Sequence, residues 1–294
     1  MDKHEAFELG FRLTLMVFGY LTLREAVQCC GIPENYFENY VFKGGELKAR
    51  KIRGRWMMSE QELDQWKKNR DFRLVKLDME DYFRAFNFAA KQFYMSGPAV
   101  VEWGKTKRRE VGEFLFDQMG GKLGELAFRK FLLDRFGVEI RVSFEVEKEM
   151  PGQDIFEIVR IEQGREVSRS PVLKVSIKTT KMQNFNLWVV EEGIDLSDAY
   201  VLCRVDLPLD HLLRVFREHE KLSTVRDMIP ELKEVETEVV GFTWKKDLKA
   251  KGATMKMVGA NGKVVQELRR PQYVMLSGEL RKATGDWQGL IRAL

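Results

Sequence analysis

Cysteine and histidine are both scarce in this chain, with three of each in 294 residues. Cys29 and Cys30 are adjacent and Cys203 is far away, so there is neither a disulfide framework nor the paired spacing of a metal site, and the usage fits a reducing cytoplasm. His4, His211 and His219 make no ligand set, because the last two lie eight residues apart without a third partner. Long apolar runs are missing too. Leu13 to Leu21 is too short to span a bilayer, has acids before it and lacks a small-residue cleavage site after it, so a buried helix is expected there, with no membrane anchor and no signal. Neither sign of charge dominates: the formal net charge is +4 and the pI near 8.8, so the global balance alone does not argue for nucleic acid, and the placement of the charge matters. Gly252 and Gly259-Ala-Asn-Gly262 lack the pattern of a phosphate loop or dinucleotide fingerprint, which argues against a nucleotide cofactor.

What is present is 44% hydrophobic and 32% charged residues, enough for one large or two to three small domains with cores of their own. The stretch from Tyr20 to Arg70 is punctuated as a small winged unit. Thr22 caps a helix Leu23 to Cys30, Gly31 gives a tight turn, and Pro33 opens a second helix through about Phe42. Gly44-Gly45 breaks the chain before a hairpin over Leu47 to Met58, where Lys48, Arg50, Lys51, Arg53 and Arg55 crowd around Gly54. Ser59 and Glu62 form a capping box for a last helix ending near Lys68.

Leu21-Thr-Leu-Arg-Glu-Ala, the turn Cys30-Gly-Ile-Pro33, a Gly-Arg-Trp56 wing tip and Ser59-Glu-Gln-Glu-Leu-Asp-Gln-Trp66 together resemble the excisionase/MerR-type winged helix-turn-helix over about fifty residues. The resemblance implies duplex DNA as partner, with the second helix in the major groove and the wing along the backbone. That helix is less basic than a typical reading helix, and Asn35 and Asn39 are its candidates for adenine edges. The alternative is that the unit packs on the rest of the protein and its wing is a solvated edge.

Phe72 to Gln118 reads as a helical connector, with Tyr82, Phe83, Phe86, Phe88, Phe93 and Tyr94 as interdomain core and a break at Ser96-Gly97-Pro98. Lys105-Thr-Lys-Arg-Arg109 is a second basic cluster, in which Lys107 and Arg108 are candidates to grip phosphate, as is Lys181 further on. The apolar face of Leu123, Leu126, Ala127, Phe131 and Leu132 predicts a helix over Lys122 to Phe136, with Glu125 in its first turn. Glu139 to Glu147 alternates as a half-buried strand, Pro151-Gly-Gln-Asp154 is a turn opening a strand Ile155 to Ile161, and Val172-Leu-Lys-Val-Ser-Ile-Lys178 is a strand that ends on a lysine. Ala199 to Val205 reads as a central buried strand, followed by a helix from Asp210 to about Glu220. Trp287 is expected to anchor the final helix. Glu125, Asp154 and Lys178 form the set a metal-dependent phosphodiesterase needs: two carboxylates for a hard cation and an ammonium beside the attacking water. Taken singly, each has a plainer reading as a surface, turn or solvated residue.

In this order the elements resemble the PD-(D/E)xK restriction-endonuclease-like superfamily from Gly121 to Glu220. The resemblance implies an α/β fold, a mixed-sheet core flanked by helices, and Mg²⁺ held by Glu125, Asp154 and the carbonyl of Ile177, with Lys178 as the catalytic lysine. Gln153 stands in place of the usual proline, and Ser176 where the family has an acid; Glu192, Glu125 or Glu157 is then the candidate for the missing carboxylate. The resulting expectation is four segments: a winged domain over 1–71, a helical connector over 72–118, a nuclease core over 119–220 and a C-terminal extension over 221–294 packed on that core. The function implied is a Mg²⁺-dependent DNA endonuclease, of type II restriction kind and homodimeric. A catalytically inactive DNA-binding regulator and a structure-selective repair or junction nuclease are the other readings.

Overall fold

The computed structural model describes residues 19–52, 55–95, 110–145, 154–155, 157–162 and 165–294. Leu13 to Phe18, Arg53, Gly54, Ser96-Gly97-Pro98, Lys107, Arg108, Val146, Glu147 and Pro151-Gly-Gln153 lie outside them.

At the N-terminal end, β1 (Tyr20–Thr22) runs into α1 (Leu23–Cys30) through a reciprocal cap. The Thr22 hydroxyl accepts from the Glu25 amide at 3.3 Å, and the Glu25 carboxylate accepts from the Thr22 amide at 2.8 Å. Gly31 then turns the chain at φ 64°, a left-handed conformation that favours glycine. Pro33 leads into α2 (Glu34–Glu38), which continues as a π-helical turn, Asn39–Lys43. The wing is β2 (Arg50–Ile52) and β3 (Arg55–Ser59), with β1 on the other side of β3. Ser59 caps α3 (Glu60–Arg73) by accepting from the Glu62 amide at 3.4 Å. Ala26, Phe37, Tyr40, Met58, Leu63 and Trp66 close a small core between these elements. The capping pattern thus appears where the sequence predicts it, but α3 runs past Lys68 to Arg73. Arg70 and Arg73 are both buried, against Glu236 and Glu238 at 3.4 and 2.9 Å. Partners more than a hundred and fifty residues away keep charged positions helical that look, locally, like a solvated end.

The chain continues through β4 (Leu74–Leu77), α4 (Met79–Met95), α5 (Val111–Phe136), β5 (Glu139–Arg141), β6 (Glu157–Glu162), β7 (Arg165–Arg169), β8 (Val175–Lys181), β9 (Asn186–Val190), β10 (Ala199–Val205), α6 (His211–Val215), β11 (Val235–Trp244), α7 (Lys245–Ala250), β12 (Ala253–Val258), β13 (Val264–Leu276) and α8 (Thr284–Ala293). The main sheet has the order β4-β11-β10-β8, with β8 parallel to β10 and the other pairs antiparallel. Two further three-stranded sheets, β5-β6-β7 and β12-β13-β9, flank it. The fold is a mixed α/β arrangement. α5 crosses the main sheet with Leu123, Leu126, Ala127, Phe128 and Phe131 buried beneath it, and Trp287 of α8 joins that core with ring centroids 5.1 Å from both Phe131 and Phe242.

Several expectations need correction. The connector is not wholly helical, because Leu74–Leu77 alternates into the edge of the main sheet beside β11. The sheet therefore draws strands from both the connector and the C-terminal segment. α5 begins at Val111, which puts Glu125 in mid-helix, so its place owes nothing to the helix dipole. The strand after it stops at Arg141, and β8 starts three residues later than the apolar alternation suggests, leaving Lys178 inside the strand and not at its end. The helix after β10 is short; Asp210 stands at its N-cap position, its carboxylate pairing with Arg214 at 2.8 Å and making no side-chain cap. Trp287 anchors the last helix as expected.

One cluster ties the N-terminal unit to the main sheet. Arg204 on β10 has no exposed surface; its guanidinium bonds Glu46 at 2.5 Å and Glu238 at 3.1 Å, donates to the Asn184 carbonyl at 2.6 Å and lies 4.3 Å from the Tyr40 ring centroid. Tyr40 in turn donates to the Met182 carbonyl at 2.7 Å. Burial pushes the Glu46 and Glu238 carboxyls up, but Arg204 foremost, with Arg73 and other cations around them, holds both below the usual carboxylate range. Their stabilising contribution is complete above about pH 4.3, the unfolded glutamate value, and is lost as pH falls through the folded values.

Two stability measurements follow from these contacts. Arg204→Met leaves two buried carboxylates short of a partner and lowers unfolding free energy by about 3–5 kcal/mol in urea titration. A Cβ at Gly124 would stand 2.0 Å from the Thr179 hydroxyl where α5 crosses β8. Gly124→Ala is expected to destabilise by about 1–3 kcal/mol, with part of the loss recovered in the double variant with Thr179→Ala.

Candidate functional site

Asp154 and Val175 lie side by side at the free edge of β8. The Asp154 amide donates to the Val175 carbonyl at 3.0 Å, and its Oδ2 accepts from the Ile177 amide at 2.5 Å and the Ser176 hydroxyl at 3.2 Å. In a strand the N–H and C=O of one residue face the same edge, so the Ile177 carbonyl is turned toward Asp154 as well. Alternation puts Ser176 and Lys178 on the face opposite Thr179, the residue that meets α5.

Asp154 is half-buried, and desolvation pushes its pKa above the ordinary aspartate value. Lys178, the Ile177 amide and Lys122 of α5 pull in the other direction without overcoming it. Lys122 is 6% exposed and bonds Glu125 at 2.6 Å and the Ser143 carbonyl at 2.7 Å, with its ammonium 4.3 Å from the Phe88 ring centroid. The site therefore draws Asp154, Ser176, Ile177 and Lys178 together and reaches Glu125 through Lys122. Local pattern did not single out Lys122. The available signal was a lysine three residues before the candidate glutamate on the apolar side of a helix.

Glu192 is not part of this group. It lies in a 3₁₀ turn after β9, exposed and 3.4 Å from Arg270. Burial holds the Cys203 thiol protonated, with Glu238 and Glu125 adding to the effect, and His211 is buried against the Tyr82 hydroxyl at 2.6 Å, its pKa lowered by desolvation. Among the described residues no three His, Cys, Asp or Glu side chains are grouped to hold a metal ion.

The second candidate surface is the N-terminal unit. Lys48, Arg50, Lys51 and Arg55 are exposed along the wing, and Trp56 stacks on Phe42 with centroids 4.7 Å apart. α2 exposes Glu34, Asn35 and Glu38, so cations face outward from the wing and not from that helix. Asn39 is corrected by the structure: it donates to the Gln183 carbonyl at 3.1 Å, because the C-terminal half of this helix docks on the body of the protein. Lys181 is exposed and lies 5.2 Å from the Phe116 ring centroid.

A family model described as a helix-turn-helix domain matches residues 20–71. The N-terminal unit is a helix-turn-helix domain. No curated protein and no solved structure matches the chain. The helix-turn-helix domain indicates DNA binding. Among the described residues no helix is long and apolar enough to cross a membrane.

The raised Asp154 pKa has a sign that can be checked. Because the folded state holds the proton more tightly than the unfolded chain, stability falls as pH rises from about 3.9 through the folded value. Asp154→Asn keeps an acceptor for Ile177 and Ser176 and removes the charge. The variant is expected to melt higher than the wild type at pH 7 in EDTA, with the difference closing below about pH 4.

Proposed function

We propose that the protein is a DNA-binding endonuclease that hydrolyses phosphodiester bonds with Mg²⁺ at the Asp154 site. The observation that carries this reading is the seating of Asp154 against Ser176 and Ile177, with Lys178 next along β8 and electrostatically felt by Asp154. The helix-turn-helix domain supplies the duplex-binding surface.

The donor set fits a hard cation. Mg²⁺ is ordinarily held by one or two carboxylates together with water and substrate phosphate oxygens, and Asp154, the Ile177 carbonyl and Glu125 are all oxygen donors. Glu125 joins them only once its carboxylate leaves Lys122. When bound, Mg²⁺ neutralises charge developing on the phosphate and lowers the pKa of a water. Lys178, on the outward face of β8, has the reach and the donors to orient the attacking water and to stabilise negative charge as it forms. Asp154 aligns the strand edge through its two hydrogen bonds. A restriction enzyme acting as a homodimer is the finer form of this proposal.

The Glu125–Lys122 ion pair and the serine at position 176 favour a second reading, a DNA-binding regulator on an inactive scaffold, since they leave the site with no carboxylate in excess of its two ammonium groups. Incubation of wild-type protein and Lys178→Ala with plasmid DNA separates the two. Under the nuclease reading, wild type cleaves in Mg²⁺ and not in EDTA, and Lys178→Ala loses about a hundredfold or more in rate while retaining its gel shift. Intact DNA in every lane beside an undiminished shift selects the regulator. Discrete fragments from linear duplex mark restriction, whereas cleavage confined to branched substrates marks a junction nuclease.

A further inference from the structure

The ribbon of β12 and β13 is largely exposed. β13 pairs with β9 only from Gln272 to Leu276, so from Val264 to Arg270 its one neighbour is β12. Lys256, Lys263 and Arg269 stand exposed along this two-stranded stretch, with Glu267 opposite Lys256 as its one acid. A two-stranded ribbon is marginal in water unless something holds it. The helix-turn-helix domain does so: the Ala260 amide donates to the Lys43 carbonyl at 2.9 Å and the Asn261 amide to the Phe42 carbonyl at 3.2 Å. A Cβ at Gly259 would stand 3.2 Å from the Lys43 Cα, so the tip is seated closely against that helix end.

Phe42 is also where the wing arrives, through its stacking with Trp56. The wing thus reaches Phe42 while the ribbon tip bonds Phe42 and Lys43, and exposed cations stand on both elements: Lys48, Arg50, Lys51 and Arg55 on the wing, Lys256, Lys263 and Arg269 on the ribbon. We propose that the β12–β13 ribbon is a second DNA-contacting arm, which extends the wing's grip along the phosphate backbone of duplex DNA. The proposal rests on the helix-turn-helix domain engaging duplex DNA. Cations on a ribbon mounted against such a domain meet phosphates beyond the wing, and each contact adds to the counterion release on binding.

The test is fluorescence anisotropy of the full chain on a short labelled duplex of mixed sequence, in EDTA, across a salt series. The variants are Lys256→Ala/Lys263→Ala/Arg269→Ala on the ribbon and Arg50→Ala/Lys51→Ala on the wing. Lys221→Ala/Arg226→Ala/Lys233→Ala removes the same charge from an exposed segment before β11. The ribbon variant is expected to weaken binding at least tenfold and to reduce the slope of log K against log salt by about three, roughly one per contact, with the third variant near wild type. If the wing variant weakens binding while the ribbon variant keeps the wild-type slope, the ribbon arm is overturned and the helix-turn-helix reading stands. If wild type binds no duplex, both fall. A ribbon variant with an unchanged slope but a changed mass by light scattering overturns the proposal in favour of contact with a second copy of the chain.

Discussion

Arg204 lies without exposed surface on a strand otherwise made of Ala, Tyr, Val, Leu and Cys, and a guanidinium can be held there only if several groups converge on it. Those groups come from far apart. Glu46 belongs to the helix-turn-helix domain, Glu238 to β11, Asn184 to the turn before β9, and Tyr40 to the π turn of the second helix. Each partner is aligned by this one side chain, and through Glu238 the cluster extends to Arg73 and Arg70 at the end of α3. Burying so many charges is not an efficient source of stability when compared with apolar packing of the same volume. What it supplies is specificity of docking, because an apolar interface tolerates sliding whereas an unpaired buried charge does not.

The same logic of convergence governs the Asp154 site at the opposite end of the scale. There the geometry is set by main-chain groups of an edge strand, and desolvation of the half-buried carboxylate outweighs the cations near it. Lys122 and Lys178 are the cations at hand, and Lys122 is shared with Glu125. The arrangement therefore holds its polar groups in reserve, which distinguishes it from the Arg204 cluster, where both carboxylates are held charged.

Local signals were readable where local physics decides. Thr22, Gly31, Pro33 and Ser59 act through caps and turns only a few residues long, and the helix-turn-helix domain appears where they put it. The continuous apolar run of β10 was equally plain, as was Trp287 in the core. The order of turn and strand led to Asp154 being expected beside Ile177 and Lys178, whereas its bond with the Ser176 hydroxyl carried no local signal. What escaped were residues whose roles depend on distant partners. Arg70 and Arg73 look like a solvated helix end until Glu236 and Glu238 are in place, Leu74–Leu77 is too short to betray a strand, and Asn39 faces inward because of a carbonyl at Gln183. Arg204 did carry a signal, a single charge inside an apolar strand, which asks for buried carboxylates elsewhere in the chain.

The last residue of α3 and the first of β4 are consecutive, Arg73 and Leu74, so no tether separates the helix-turn-helix domain from the main sheet. The Arg204 cluster, which shares Glu238 with Arg73, and the bonds of Asn39 to Gln183 and of Ala260 to Lys43 add further attachments. The helix-turn-helix domain is thus fixed to the main sheet by its covalent junction and by buried ion pairs together. The position of the wing relative to the main sheet is therefore written into the covalent and ionic framework, and changing it would require remodelling the seat of Arg204 itself.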